Sequence, residues 1–172
     1  GFNEFILCLG YKGDFIRQYF INYEFLNNDF TVNLGDKSDF EIHSKKDRED
    51  WRVTLVDTGE HTLTGGRIKR IQSYIDDEQF MVTYGDGVAN IDVEKLVDFH
   101  KSKGKIATLT GVHPPSRYGL VETDDNGEVI QFKEKPRMDE MVSAGFFVFQ
   151  RAIFDYIPED DCMLEHEPFE SL

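Results

Sequence analysis

A carboxylate held between two glycines is the pattern in this chain that could do the most chemistry. It stands in Thr83-Tyr84-Gly85-Asp86-Gly87, after the apolar run Gln79-Phe80-Met81-Val82 and before the helix-like run Asp92-Val93-Glu94-Lys95-Leu96-Val97. An ionised carboxylate is a hard oxygen donor of the kind Mg²⁺ prefers. Glycines on either side let the backbone turn sharply and let a ligand come close. In open α/β sheets, ligands sit just beyond the carboxyl ends of strands. The pentapeptide therefore suits a divalent cation held against a phosphate. It also suits a plain tight turn with a solvated Asp.

A second pattern runs Asp57-Thr58-Gly59-Glu60-His61-Thr62-Leu63-Thr64-Gly65-Gly66-Arg67. It reads as a strand end, a Gly/Thr-rich loop and a helix start. Backbone N–H groups at a helix start form an anion site, and Arg67 adds a cationic fork suited to phosphate. Acidic residues are the usual occupants of a helix N-terminus, so an Arg in the first turn implies a ligand. The alternative is an Arg facing solvent or paired with a surface carboxylate.

Two weaker patterns follow. Phe132-Lys133-Glu134-Lys135-Pro136 closes a strand with an acid–base pair, in which Glu could accept from sugar hydroxyls and Lys could bind an oxyanion, though Glu-Lys-Pro is also a common surface sequence. In Arg117-Tyr118-Gly119, the glycine backbone could meet a sugar. His43, His61, His100, His113 and His166 lack metal-ligand spacing and read as surface or loop residues. Neither a Ser/His/Asp nor a Cys/His arrangement can be assembled, and no Walker-type or Gly-x-Gly-x-x-Gly loop is present.

The elements that must position these residues alternate short apolar runs with helical ones, which argues for α/β with a mostly parallel sheet. Strands are expected at Glu4–Leu9, Phe30–Leu34, Trp51–Val56, Gln79–Thr83, Lys105–Val112, Gly119–Thr123, Glu128–Phe132 and Gly145–Phe149. Helices are expected at Asp14–Phe25, with Phe15, Tyr19, Tyr23 and Leu26 on one face, and at Thr64–Ile75, with Ile68, Ile71 and Ile75 on one face. Others are expected at Val93–Lys103, closed by Gly104, and at Ala152–Tyr156. Asp124-Asp125-Asn126-Gly127 is a hairpin turn signal. Gly35–Asp50 is polar and reads as a long excursion or an interaction arm.

The 172 residues suffice for one domain with a sizeable core. A net charge of −14 argues against non-specific nucleic-acid binding. Cys8 and Cys162 are too far apart in sequence to suggest a disulfide framework or zinc site, and a reducing cytoplasm is the simpler expectation. Cys8 reads as a buried strand residue. No apolar run approaches the ~18 residues of a membrane span.

Taken in order, Leu9 to Gly13, Trp51 to Arg70, Thr83 to Ala89, His113-Pro114-Pro115, Phe132 to Pro136 and Gly145-Phe146-Phe147-Val148 resemble the sugar-1-phosphate nucleotidylyltransferases, and among them the glucose-1-phosphate cytidylyltransferases. The run Val53 to Gly59 with Thr64-Gly65-Gly66-Arg67 is the most specific part. The resemblance implies a Rossmann-like three-layer α/β/α nucleotide-diphospho-sugar transferase fold with a mixed, mostly parallel sheet. It implies that CTP and α-D-glucose 1-phosphate give CDP-glucose and pyrophosphate with Mg²⁺, as a step toward surface polysaccharides such as O-antigen, in a cytoplasmic homo-oligomer. By carry-over, Asp86 holds Mg²⁺, and Thr62, Arg67 and Gly85 serve the nucleotide, with Asp86 and Arg67 as the catalytic pair. Glu134 and Lys135 hold the sugar phosphate, with Gly119 beside the sugar. Alternatives are a uridylyl- or thymidylyltransferase of the same kind, a non-catalytic sugar-nucleotide-binding or oligomerisation module, and a structural acidic domain.

The resemblance also has departures. Its Gly-rich loop with Gly-Thr-Arg and its Lys-Pro segment should precede Gly1, and its second metal-binding Asp has no candidate before Leu172. The expectation is a single nucleotidyltransferase domain over residues 1–172, truncated at both ends, lacking the N-terminal strand and phosphate loop, and inactive alone. Glu4–Leu9 and Gln79–Thr83 are then each expected to lack a neighbouring strand. Ser143-Ala144 stands where Asn-Gly is more usual, and Asn90 where Asp is common.

Overall fold

The computed structural model describes residues 1–36, 39–43 and 49–172, which divide into two compact units: Gly1–Asp76 with Phe154–Ser171, and Asp77–Ile153 with Leu172. In chain order the elements are β1 (Glu4–Leu9), α1 (Gly13–Ile21), α2 (Tyr23–Asn27), β2 (Asp29–Val32), β3 (Phe40–His43), β4 (Arg52–Asp57), α3 (Thr64–Arg70), β5 (Gln79–Thr83), α4 (Val93–Lys103), β6 (Ala107–Val112), β7 (Leu120–Thr123), β8 (Val129–Lys133), β9 (Val142–Gln150) and α5 (Glu167–Glu170). Two 3₁₀ turns, Gln72–Tyr74 and Arg151–Tyr156, join them.

In the first unit β1 and β4 run parallel, from Glu4 opposite Arg52 to Leu9 opposite Asp57. Among the described residues, β4 is the one strand paired with β1. The core collects Leu9, Val56, Ile68, Ile71, Ile75, Phe154, Ile157, Cys162 and Leu164. The expected face of Ile68, Ile71 and Ile75 is thus buried. Cys8 is only partly buried, and burial pushes its thiol pKa up against the lowering pull of the Arg67 charge.

The helix expected over Asp14–Phe25 is instead two helices. Asn22 ends α1: its backbone N–H and its side-chain amide both donate to the Gln18 carbonyl. Such local bonding is how Asn competes with helix continuation. The expected apolar face of that helix stays largely open, with Phe15 64% and Leu26 61% exposed. The arm from Gly35 to Asp50, read as a polar excursion, contains β3, which pairs antiparallel with β2. Phe25 packs edge-on against Phe30 and Phe40 at 5.3 and 4.8 Å, so aromatic contacts recruit this strand without a periodic signal. The remainder of the arm lies in part outside the described residues.

In the second unit β9 lies between β5 and β6 and runs antiparallel to both. The connection β5-α4-β6 is therefore a crossover whose two strands point the same way. The carboxyl ends of β5 and β6 and the start of β9 share one edge, with Thr83 opposite Phe146 and Val112 opposite Val142. Phe147, Val148, Phe149 and Ile153 form the core and are almost wholly buried. At ~25 cal/mol per Å² of buried apolar surface, each such Phe contributes about 2–3 kcal/mol.

Helix α4 has both expected ends. The Asp92 carboxylate accepts from Lys95 N–H at 3.1 Å, and Gly104 takes the left-handed conformation (φ 58°) at the C-terminus. His100 corrects the surface reading, because it is wholly buried in α4. Its Nδ1 meets Thr108 Oγ1 at 2.8 Å and its Nε2 meets the Gln150 amide nitrogen at 3.2 Å. The amide nitrogen can only donate, so Nε2 accepts and Nδ1 carries the proton. Burial pushes the His100 pKa down. The hairpin of β7 and β8 closes at Asp124, whose carboxylate accepts from Asn126 and Glu128 N–H, with Gly127 at φ 83°.

Candidate functional site

In the first unit the Gly/Thr-rich loop is closed upon the protein itself. Thr58 is wholly buried; its Oγ1 donates to the Leu9 carbonyl at 2.9 Å and accepts from Arg67 Nη1 at 2.8 Å. The same guanidinium donates to the Leu9 carbonyl at 3.2 Å and to the Glu60 carbonyl at 3.3 Å. A Cβ at Gly10 would lie 2.6 Å from both terminal nitrogens of Arg67, so only glycine lets the guanidinium lie on the end of β1. Among the described residues Arg67 pairs with no carboxylate; its fork ties the ends of β1 and β4 through neutral oxygens. Because α3 stops at Arg70, Arg67 also lies in its last turn, where the helix dipole favours a cation.

The amides at the start of α3 are not an open anion site. Gly65 and Gly66 N–H both donate to the Cys162 carbonyl, at 2.9 and 3.2 Å, and Leu63 N–H donates to the Asp160 carbonyl at 3.1 Å. Asp160 also receives two bonds from Arg70, one of them Nε to Oδ1 at 2.8 Å, which holds its carboxyl below the usual carboxylate range. Thr62 is half-buried, and a Cβ at Gly59 (φ 88°) would come within 2.6 Å of its Oγ1. The segment that closes α3 lies about a hundred residues downstream, and no local signal announces it.

In the second unit the end of β5 is open. Gly87 N–H donates to the Tyr84 carbonyl at 3.3 Å and closes a turn with Gly85 and Asp86 at its centre. Asp86 is exposed, and nothing lies within 4 Å of where a Cβ on Gly85 would stand. Among the described residues no group of three or more His, Cys, Asp or Glu could hold a metal ion. A single exposed carboxylate fits Mg²⁺ in the manner usual for that ion, which keeps several waters and takes other oxygens from substrate phosphates. Asp86 is the residue that could hold it.

The same unit brings Gly119 and Glu134 together. A Cβ at Gly119 would stand 2.6 Å from the Phe132 ring and 3.2 Å from Glu134 Oε2. Lys135 follows with φ 42°, a conformation side chains other than glycine rarely adopt, and its Nζ lies 3.9 Å from Glu134 Oε1. The segment around Pro115 pairs back onto Arg137, with Ser116 N–H donating to the Pro136 carbonyl at 2.7 Å and Met138 N–H to the Pro114 carbonyl at 2.9 Å. Of the sequence-predicted residues, Thr62 and Arg67 belong to the first unit, and Gly85, Asp86, Gly119, Glu134 and Lys135 to the second. Gly10, Thr58, Tyr84 and Gly145 were not singled out. Gly10 directly after a strand was a usable sign of close approach.

The sequence pattern that defines the Nucleotidyl transferase family matches residues 13–170, and the chain belongs to that family. Over its whole length it is 45% identical to the glucose-1-phosphate cytidylyltransferase of Salmonella typhi and 43% identical to the probable glucose-1-phosphate cytidylyltransferase of Bacillus subtilis (strain 168). The chain spans 66% of the length of each of these relatives. Its fold matches the crystal structure of HddC from Yersinia pseudotuberculosis with a TM-score of 0.65 at 23% identity, covering 100% of this chain and 67% of that one. The expected α/β nucleotidyltransferase fold is therefore present, but among the described strands only the β1–β4 pair is parallel and the other ladders are antiparallel, in place of the expected mostly parallel sheet. Among the described residues no helix is long and apolar enough to cross a membrane.

Proposed function

We propose that the protein transfers a cytidylyl group from CTP to α-D-glucose 1-phosphate, giving CDP-glucose and pyrophosphate. The observation that carries this reading is the 45% identity over the entire chain to a glucose-1-phosphate cytidylyltransferase. The open turn at Asp86 and the convergence of Gly119 with Glu134 support it, since both leave protein groups free to meet a ligand.

In the proposed reaction a phosphate oxygen of the sugar phosphate attacks the α-phosphorus of CTP in line. A new P–O bond forms, the bond to the β-phosphate bridging oxygen breaks, and pyrophosphate leaves with the electron pair. Transfers of this type depend mostly on positioning and on neutralising charge. Mg²⁺, when bound, supplies that neutralisation at the phosphate oxygens. Asp86 would hold it, and Gly85 would meet the nucleotide through its backbone. Thr62 and Arg67 would serve the nucleotide, Arg67 from a guanidinium already oriented by Leu9, Thr58 and Glu60. Glu134 would accept from glucose hydroxyls, Lys135 would bind the sugar phosphate, and Gly119 would lie beside the sugar. A cytoplasmic homo-oligomer serving surface-polysaccharide synthesis belongs to the same proposal.

The test is pyrophosphate release by the full-length protein with glucose 1-phosphate and CTP, UTP, dTTP or GTP in turn. The expected result is a kcat/KM for CTP well above the others. A preference for UTP or dTTP would replace the base assignment. Release with none of the four, together with retained binding of CDP-glucose, would favour a non-catalytic sugar-nucleotide module.

A further inference from the structure

We propose that Tyr84 is the positioning residue for Asp86, clamped in a slot that Gly145 leaves open on β9. The inference rests on the proposed role of Asp86 as cation ligand in cytidylyl transfer.

The β5–β9 register puts Thr83 opposite Phe146, so one step further brings Tyr84 opposite Gly145. Gly145 has φ 75°, and a Cβ built on it would stand 2.4 Å from Tyr84 Cδ2 and 2.8 Å from Cε2. The tyrosine ring therefore occupies the space that any other residue at position 145 would fill. The ring also meets Phe147, edge-on at 5.8 Å and 1% exposed, which makes a fixed wall. The left-handed bend is itself held, because Gly145 N–H donates to Ser143 Oγ at 3.2 Å. An Asn at position 143 could accept the same bond through its side-chain oxygen. The Ser143 departure is therefore neutral for this bend.

The turn that carries Asp86 closes on the Tyr84 carbonyl through Gly87 N–H. Gly85 has open space around it, and Asp86 is exposed. The turn thus takes its support from Tyr84, and the clamp sets where the carboxylate stands. Groups that orient a metal ligand without touching the ion matter almost as much as the ligand itself.

The test uses the full-length protein and measures binding of Mn²⁺–CTP by water-proton relaxation enhancement, beside binding of metal-free CTP and the Mg²⁺ dependence of turnover. Tyr84→Ala and Gly145→Ala are expected to weaken Mn²⁺–CTP about tenfold, as for other supporting residues of metal sites. The Mg²⁺ needed for half-maximal rate should rise in parallel, with metal-free CTP binding unchanged. Should Tyr84→Ala fail to fold, Tyr84→Leu takes its place with the same direction expected. Wild-type Mn²⁺–CTP affinity in the folded Tyr84 and Gly145 variants, with loss of affinity in Asp86→Asn, would overturn the positioning role and leave the cation role of Asp86 intact. Wild-type affinity in Asp86→Asn would overturn both.

Discussion

The two glycine-rich strand ends of this chain carry similar sequence signatures and have opposite structures. After β4, the Asp57 to Arg67 segment is closed. Its buried Thr58, the guanidinium of Arg67 and the first amides of α3 all find partners within the protein. After β5, the Thr83 to Gly87 segment is open. Among the described residues nothing lies within 4 Å of where a Cβ on Gly85 would stand, and the Asp86 carboxylate is exposed. Glycine can serve close packing in one place and leave room for a ligand in another, and the sequence spacing alone does not say which. What decides is whether a distant segment arrives to fill the space. For α3 the Asp160 to Cys162 backbone arrives; around Gly85 nothing among the described residues does, and the Asp86 turn rests on the adjacent Tyr84.

Substitutions at four positions break or sharpen this contrast. The largest expected effect is at the open end: if Asp86 serves the proposed transfer, Asp86→Asn should lower kcat/KM of the full-length protein by ~10² or more, the scale seen when a group that stabilises transition-state charge is lost. Its thermal midpoint should stay within a degree or two of wild type, which a melting curve checks, because an exposed turn residue contributes little to stability.

Gly66→Ala sharpens the closed end. A Cβ there would lie 2.2 Å from the Asp160 backbone carbonyl oxygen, so the backbone itself must move. Denaturant unfolding should show a loss of about 1–3 kcal/mol, the usual range for overpacking. Gly85→Ala is its counterpart, expected within ~0.5 kcal/mol of wild type since nothing lies within 4 Å.

Arg67→Ala leaves Thr58 Oγ1 and the Leu9 and Glu60 carbonyls without their cationic donor. The expected loss is roughly 1–3 kcal/mol by the same unfolding measurement. Arg67→Lys should not restore it, since one ammonium cannot reproduce the fork.

The smallest effect concerns pH in the second unit. His100 is neutral and buried, and its pKa is pushed below the ordinary 6.5. The unfolded chain therefore binds more protons than the folded one between that lowered pKa and 6.5, and stability falls as pH drops through this window. Neither β6 nor β9 offers a titratable side chain to compensate; α4 carries Glu94, Lys95, Asp98, Lys101 and Lys103 around it. Denaturation midpoints at pH 7.5 and 5.5 should differ in wild type and differ less in His100→Asn.

What the sequence made legible was local. Helix α4 over Val93–Lys103, its Gly104 terminus and β5 stand where their residues indicate, because each is decided by neighbours within a few positions. Asp86 and Glu134 stand out in the sequence as carboxylates suited to a ligand, whereas the approach of Gly119 to Glu134 is not in the spacing. Arg67 was legible as a residue with a task, but its partners were not. They lie on Leu9 and Thr58, and the closure of α3 depends on Cys162, all brought together by the fold and not by spacing. The break at Asn22 and strand β3 were missed for a similar reason: a side-chain bond to Gln18 and packing against Phe25 overrode the local pattern.

The most direct test of the central claim is a ³¹P NMR time course of the full-length protein with CTP, glucose 1-phosphate and Mg²⁺. The account predicts that the CTP signals fall while two diphosphate resonances of CDP-glucose and one of pyrophosphate grow in equal amounts. Unchanged CTP, or release of CMP with no sugar nucleotide, would contradict it.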